Sequence, residues 1–215
     1  MRPLWQHEKT EAESFNYIAK YIFAPIYPVL ARQIVSKTGI KKGICLDLGS
    51  GSALLGMAIS RETELFCYAL DHSPDMLYLA LENIEKSSLS GQVQPVLGNV
   101  HCLPWPEKSI DLVVSRGSIF FWEDLLRVYQ EISRVLRPGG YAYVGGGFGS
   151  QELFEEIRKK MESYDDWEYN VRQRMSKFNK DRMKDYLNEA DIENVEIKDD
   201  ETGFWIIVHQ EDGSL

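Results

Sequence analysis

The stretch CLDLGSGSALLG, residues 45–56, decides how the rest of the chain is interpreted. An apolar run contains Asp47, two glycines follow at Gly49 and Gly51, and a second apolar run comes next. A glycine turn between a buried strand and a helix brings backbone N–H groups close to a bound ligand. The ligand at this turn must also tolerate a carboxylate beside it.

Short apolar runs alternate with amphipathic stretches along the whole chain, which predicts an α/β fold. Five strands and a closing hairpin are predicted at 43–48, 65–70, 92–98, 110–114, 141–144, 194–198 and 204–210. Alternating strands and helices imply parallel pairing with right-handed crossovers. The expected fold class is therefore α/β, a Rossmann-like, doubly wound, mostly parallel sheet of about seven strands with an antiparallel closing hairpin, plus N-terminal helices.

The composition excludes several classes of protein. A net charge of −9 disfavours nucleic-acid binding, because contacts to phosphates supply much of that affinity. No segment reaches the roughly 20 apolar residues that span a bilayer, so no membrane partner is expected. The segment MRPLWQHEKTEAE, residues 1–13, lacks the apolar run of a secretory signal, which favours a cytoplasmic protein. The 3 cysteines are widely spaced and predict no disulfide framework and no metal site.

A dinucleotide is the first ligand to consider at such a turn. The G-x-G-x-x-G pattern fails, however, because Leu54 stands where the third glycine is expected. Asp47 would also lie beside a pyrophosphate, and two like charges about 4 Å apart cost roughly 4 kcal/mol at an effective dielectric near 20. S-adenosylmethionine avoids this conflict, because it carries a sulfonium and an α-ammonium but no phosphate. Asp71, at the end of the next strand, can accept hydrogen bonds from its ribose hydroxyls.

From about Ile44 to Val144 the sequence resembles the class I S-adenosylmethionine-dependent methyltransferases. The segments that carry the resemblance are LDLGSGSA (46–53), ALDHSPDML (69–77), GNVHCLPWPEKSIDLVVS (98–115) and LRPGGYAYV (136–144). Their order and spacing are most similar to the ubiquinone and menaquinone biosynthesis type and its uncharacterised relatives. Two positions depart from the family pattern: Ala53 stands where many members have a third glycine, and Asn99 replaces the usual acid.

The resemblance implies that S-adenosylmethionine is the cofactor and S-adenosylhomocysteine its product. The residues that it assigns to cofactor binding are Asp47, Gly49, Ser50, Gly51, Asp71, His72, Met76, Asn99, Val100, His101 and Ser115. Structural alternatives remain open for these positions. Asp47 can cap the following helix, Met76 can be a core residue, and His101 can be an ordinary loop histidine.

The acceptor is a small molecule in this interpretation. The segment SRGSIFFWED (115–124) lacks the Asn/Asp-Pro-Pro-Tyr run that is frequent in methyltransferases acting on amide or adenine nitrogens. Arg116 can hold a carboxylate or phosphate of the acceptor, or it can pair with a neighbouring acid. The run Gly145-Gly146-Gly147-Phe148-Gly149 is expected to follow the fifth strand, where it either leaves room for an acceptor or lets the backbone bend away. The candidate acceptor-binding residues are Arg116, Tyr17, Tyr21, Tyr27 and Trp167.

The sequence therefore predicts a cytoplasmic, single-domain methyltransferase that acts on a small molecule. We expect an N-terminal helical cap at 1–40, a cofactor-binding core at 41–150, a helical acceptor region at 151–190 and a closing hairpin at 191–215. Neither a catalytic residue nor the oligomeric state follows from the sequence. Two alternatives remain, a non-catalytic module that binds S-adenosylmethionine and an NAD-dependent oxidoreductase.

Overall fold

A seven-stranded sheet in the order β3-β2-β1-β4-β5-β7-β6 lies at the centre of the computed structural model, which describes residues 10–162, 164 and 180–211. The strands are β1 (Lys42–Leu48), β2 (Glu64–Asp71), β3 (Val93–Leu97), β4 (Ile110–Arg116), β5 (Leu136–Gly147), β6 (Val195–Asp200) and β7 (Gly203–His209). The pairs from β3 to β5 are parallel, whereas β7 pairs antiparallel with β5 and β6. This confirms the predicted Rossmann-like fold with its closing hairpin.

Helices pack on both faces of this sheet. They are α1 (Glu11–Tyr17), α2 (Ile26–Thr38), α3 (Leu54–Glu62), α4 (Pro74–Lys86), α5 (Leu125–Val135), α6 (Gln151–Met161) and α7 (Lys180–Glu189). A π-helical turn, Ile18–Ile22, continues α1, and this helix ends before Pro25, which precedes the first residue of α2, because proline cannot continue a helix interior. In the part of the chain that the structure describes, no helix combines the length and apolar character needed to cross a bilayer.

Two apolar clusters lie on opposite faces of the sheet, and each is formed between the sheet and the helices that cover that face. Leu30 of α2 and Ile59 of α3 belong to the first cluster, whereas Tyr129 of α5 belongs to the second. In β7, Trp205 packs into the first cluster and Phe204 into the second. This alternation follows from the two-residue period of a strand, so β7 is covered on both faces.

The edges of the sheet are formed by β3 and β6. The outer position of β3 suits its Pro95, which has no N–H to donate within a sheet. At the opposite edge, β6 has the sequence VEIKDD and is largely exposed, with a salt bridge of 3.1 Å between Lys198 and Asp200. Both edge strands are short, at 5 and 6 residues.

The prediction for β5 was wrong at both of its ends. The strand covers Leu136–Gly147, so α5 ends at Val135 and does not continue to Pro138. The pairing of β5 with β4 shifts register between Ile110 and Leu112, which accommodates the Pro-Gly-Gly segment within the strand. The glycines at 145–147 pair with β7 and therefore form part of the sheet, not a loop that leaves room for an acceptor.

Replacing Gly145 with alanine should lower the free energy of unfolding by about 3 kcal/mol. A Cβ at this position would lie 2.1 Å from the carbonyl oxygen of Phe204 and 2.9 Å from the Cα of Trp205. Neither backbone atom can rotate away. Gly91→Ala is the matched control, because a Cβ there meets nothing within 4 Å, and it should change the stability by less than about 0.5 kcal/mol. Urea denaturation measures both, and equal stabilities would contradict the close approach of β5 to β7.

Candidate functional site

The turns after β1 and β2 are fastened to each other by the Asp71 carboxylate. Its Oδ2 accepts a hydrogen bond of 2.8 Å from the Gly51 N–H, and its Oδ1 accepts one of 2.9 Å from the Ser73 N–H. The Ser50 N–H also donates to the Leu70 carbonyl at 3.0 Å. Because each carboxylate oxygen has two lone pairs, Asp71 retains capacity to accept from a ligand. The two turns therefore form one crevice at the carboxyl edge of the sheet, where ligands bind in folds of this kind.

The glycine turn requires left-handed backbone conformations. Gly49 and Gly51 have φ values of 62° and 54°, and Ala53, the residue before α3, has a φ of 65°. A Cβ at Gly49 would lie 2.4 Å from the Cβ of Ser118, so only glycine fits there without a rearrangement. Ser118 follows β4, and its hydroxyl donates to the Leu48 carbonyl at 2.8 Å. No sequence motif pointed to Ser118, and only its place after a strand end could have done so.

Ser115, a predicted cofactor residue, lies beneath this contact. Its side chain is fully buried, and its Oγ lies 2.5 Å from the Oγ of Ser118. Because the Ser118 proton is directed to the Leu48 carbonyl, Ser115 donates in this pair. The geometry therefore shows Ser115 supporting the residue that contacts the glycine turn.

The Asp47 side chain lies behind the glycine turn. It is 2% exposed, and its Oδ2 accepts a hydrogen bond of 2.9 Å from the Gly56 N–H in the first turn of α3. Burial raises the pKa of Asp47 to about 7; the hydrogen bond from Gly56 opposes this, and the nearby charge of Asp71 adds to it. Little of its surface remains for direct contact with a ligand. Asp47 would therefore attract a bound cation from behind the turn, without touching it.

The loop after β3 is organised by a histidine whose ring nitrogens both have partners. Asn99 Oδ1 accepts from the His101 N–H at 2.9 Å and lies 2.7 Å from its Nδ1. The Asp124 N–H donates to Nε2 at 3.3 Å, so Nδ1 carries the proton of the neutral ring. His101 thus links this loop to the start of α5. The Asn99 amide nitrogen has no hydrogen-bond acceptor among the described residues. It can therefore donate to a ligand.

An apolar surface lies beside the Asp71 carboxylate. Leu97, which pairs in register with Asp71, is 63% exposed, although strand residues of this type are usually covered. Met76 is half-buried in the first turn of α4 nearby, and Val100 is buried. The sequence analysis did not identify Leu97, because its exposure depends on where the neighbouring loops lie. His72 is largely exposed, with its Nδ1 at 3.5 Å from Asp71 Oδ1.

The crevice fits a nucleoside with a polar tail. A carboxylate acceptor beside an exposed apolar side chain is the combination that a ribose and its base require. In the glycine turn, the hydroxyl of Ser50 is buried and has no hydrogen-bond partner in the described residues. A buried hydroxyl without a partner is costly, and a ligand at the turn would be close to it.

The residues from Glu11 to Thr38, here called the N-terminal segment, cover one side of the glycine turn. The Phe15 ring would lie 3.6 Å from a Cβ at Gly51. Asn83 of α4 anchors the segment, because its Oδ1 accepts from Lys20 Nζ at 2.9 Å and its Nδ2 lies 3.2 Å from both Asn16 Oδ1 and the carbonyl of Ser52.

The structure brings together some of the predicted acceptor residues and separates others. The Arg116 guanidinium carbon lies 5.5 Å from the centroid of the Tyr27 ring. Tyr17 and Tyr21 contact each other, with ring centroids 4.9 Å apart, and Tyr21 is 60% exposed. Trp167 lies outside the described residues. No group of three or more His, Cys, Asp or Glu side chains in the described part of the chain could hold a metal ion.

Comparisons with known proteins agree with this geometry. Residues 46–144 match a family model described as a methyltransferase domain. A crystal structure from Methanococcus maripaludis, assigned to the S-adenosyl-L-methionine-dependent methyltransferases, is 39% identical in sequence, with a TM-score of 0.90. That match covers 97% of this chain and 98% of the other, so it includes the N-terminal segment and the closing hairpin as well as the core.

Two curated relatives are similar over shorter regions. An uncharacterized methyltransferase of Bacillus subtilis, YdaC, is 28% identical over 129 residues, which are 59% of this chain and 69% of YdaC. The mitochondrial arginine-hydroxylase NDUFAF5 of Rattus norvegicus is 32% identical over 114 residues, 52% of this chain and 31% of that protein. The chain thus spans about a third of the length of the rat relative. The reactions stated in these names differ, so they do not identify an acceptor.

Asp47→Asn should stabilise the ligand-free protein more at pH 8 than at pH 5, by about 3 kcal/mol. The folded-state pKa of Asp47, about 7, is above its value of 3.8 in an unfolded chain, so the wild type loses stability as pH rises between these values. Asparagine carries no charge to desolvate and keeps an acceptor for the Gly56 N–H. Denaturant titrations of both proteins across this pH range provide the measurement. A difference that does not depend on pH would show that Asp47 titrates normally.

Proposed function

The chain belongs to the S-adenosylmethionine-dependent methyltransferases, and from this membership we propose that it transfers the methyl group of S-adenosylmethionine to a small-molecule acceptor. The observation that carries the proposal is the hydrogen bond between Asp71 and the Gly51 N–H, which joins the carboxylate at the end of β2 to the glycine turn. A donor that has both a ribose and an amino-acid tail needs these two features side by side.

Each part of the crevice has a partner in the donor. Asp71 would accept from the ribose hydroxyls, and the apolar surface of Leu97 and Met76 would contact the adenine. The Asn99 amide is the polar group for the edge of the base, and the turn from Gly49 to Gly51 would hold the methionine part. When bound, the donor supplies a methyl group that its sulfonium already activates. The protein therefore has to orient an acceptor and exclude water.

The N-terminal segment is suited to excluding water. It lies against Gly51 through Phe15, and it is anchored through Asn83 to Ser52 in the same turn. Its aromatic side chains present apolar surface and negative ring faces, which are favourable next to a cationic sulfonium. The segment thereby covers the reacting centre from the side opposite the sheet.

A small molecule is favoured as the acceptor by charge. The net charge of −9 opposes contact with a nucleic-acid backbone. The segment SRGSIFFWED (115–124), which starts with the last two residues of β4, contains none of the Asn/Asp-Pro-Pro-Tyr pattern that is associated with amide and adenine nitrogens. A small acceptor would enter between the loop after β4 and the N-terminal segment, where Arg116 and Tyr27 lie.

Asp71→Asn should weaken the binding of both S-adenosylmethionine and S-adenosylhomocysteine by roughly 10- to 100-fold, the range for hydrogen bonds to a charged group. Asp75→Asn is the matched control, because Asp75 is an exposed acid in the first turn of α4 and loses the same charge. Isothermal titration calorimetry measures the affinities, and NAD should bind to none of the proteins. Unchanged donor affinity in Asp71→Asn, or tight binding of NAD to the wild type, would contradict the assignment of the crevice.

Incubation of the wild type with methyl-labelled S-adenosylmethionine and a metabolite extract should produce a labelled small molecule and S-adenosylhomocysteine. Asp71→Asn should lose this product, because the donor is no longer held. Mass spectrometry and radiochromatography of the small-molecule, protein and nucleic-acid fractions identify where the label resides. Label in a macromolecular fraction would contradict the small-molecule acceptor. Donor binding without transfer to any fraction would favour a non-catalytic binding module.

A further inference from the structure

Arg116 lies in a cage of aromatic rings at the carboxyl end of β4. Its guanidinium carbon is 5.0 Å from the ring centroid of Phe23, 5.5 Å from that of Tyr27 and 5.9 Å from that of Phe148. Its Nε donates to the carbonyl of Gly147 at 2.9 Å, which fixes the plane of the guanidinium. These four side chains, here called the Arg116 cage, connect β4, the N-terminal segment and the residue after β5.

The Arg116 cage contains a half-buried cation that has no carboxylate partner in the described residues. In the described residues no carboxylate forms an ion pair with Arg116, whereas arginines 127, 134 and 137 each have one. Partial burial among the three rings lowers the pKa of Arg116, because it removes part of the charge from water. Contacts with aromatic faces offset only part of that cost, at about 1 kcal/mol each. A cation in this state binds an incoming anion more strongly than a solvated arginine does.

The cage is placed on the far side of the glycine turn from the nucleoside part of the crevice. Asp71 ends β2 and Arg116 ends β4, and β1 lies between them, so two strand spacings of roughly 4.8 Å separate them laterally. Phe148 lies one further strand away, after β5. The cage is nevertheless close to the turn, because Ser118, two residues beyond Arg116, contacts Gly49. This is the side on which an acceptor would meet the methyl group.

We propose that the acceptor carries a carboxylate, which Arg116 and Tyr27 bind within the Arg116 cage while an apolar part of the same molecule lies against Phe23 and Phe148. This inference rests on the proposed function and names its substrate class. The single charge of Arg116 matches a carboxylate better than a phosphate dianion, and its terminal amino groups suit the planar anion. The carboxylate positions the acceptor, and a different group of the acceptor receives the methyl group.

Tyr27 contributes a second donor to this site. Burial raises the pKa of its phenol, while the charge of Arg116 and a hydrogen bond from it oppose the rise. The phenol therefore keeps its proton at neutral pH and can donate it to a carboxylate oxygen. Two donors on neighbouring elements, α2 and β4, then face one anion, which explains why an arginine is held here without an acid.

Benzoate and benzamide test the charge preference of the Arg116 cage, because they share a shape and differ in charge. With S-adenosylhomocysteine bound, the wild type should bind benzoate at least ~10-fold more tightly than benzamide. Arg116→Gln should abolish this preference, and Tyr27→Phe, which keeps the ring but lacks the hydroxyl, should reduce it. Arg32→Gln is the control, because Arg32 lies on α2, is exposed and loses the same charge. Ligand-detected NMR titrations measure the dissociation constants, and thermal melting verifies that each variant is folded.

Three results would overturn the proposal. Equal affinity for benzoate and benzamide, or an undiminished preference in Arg116→Gln, would show that the cage does not select a carboxylate. A loss of S-adenosylmethionine affinity in Arg116→Gln would assign the carboxylate to the methionine part of the donor, so that titration is performed in parallel. The benzoate comparison is repeated without S-adenosylhomocysteine. A wild type that binds no donor would then contradict the proposed function alone, because the charge preference is still measured.

Discussion

The glycine turn depends on one buried hydrogen bond, from the Gly56 N–H to Oδ2 of Asp47. It joins the end of β1 to the first turn of α3 and so determines where the intervening residues lie. Glycine is required at position 56, because a Cβ would be 2.6 Å from the Cys67 sulfur and 3.3 Å from the Asp47 oxygen. The arrangement desolvates a carboxylate, and the pKa of about 7 expresses that cost. A donor with a positive charge near the turn would offset part of this desolvation cost. The charge of Asp47 therefore opposes folding but favours ligand binding.

The sequence was sufficient to predict most of the sheet, because two of its signals are local. The apolar runs at 43–48, which contains Asp47, and at 65–70, which is followed by Asp71, identified β1 and β2. β5 was predicted too short, because Pro138 and the glycines at 145–147 resemble loop residues when only their neighbours in sequence are considered. Their glycine content reflects the close approach of the β7 backbone, a contact between residues about 60 positions apart, which no local pattern contains.

Charge and exposure at the candidate site were less accessible to sequence reasoning than residue identity. Asp47 was identified from its motif, but its burial behind the turn results from how α3 packs on the sheet. Arg116 and Tyr27 were both candidates, yet nothing in their spacing showed that α2 places the Tyr27 ring beside the Arg116 guanidinium. Ser118, Leu97 and Phe15 were missed for the same reason: each is an ordinary residue whose role comes from a neighbour in space.

The sequences of the two edge strands affect whether copies of this protein can associate by extending the sheet. An exposed strand edge invites another chain to continue the sheet, and long, flat, apolar edges do so most readily. Here one edge is a five-residue strand that contains Pro95, and the other is VEIKDD, whose net negative charge would repel the same strand of a second copy. Intermolecular strand addition is therefore disfavoured at both edges of the sheet.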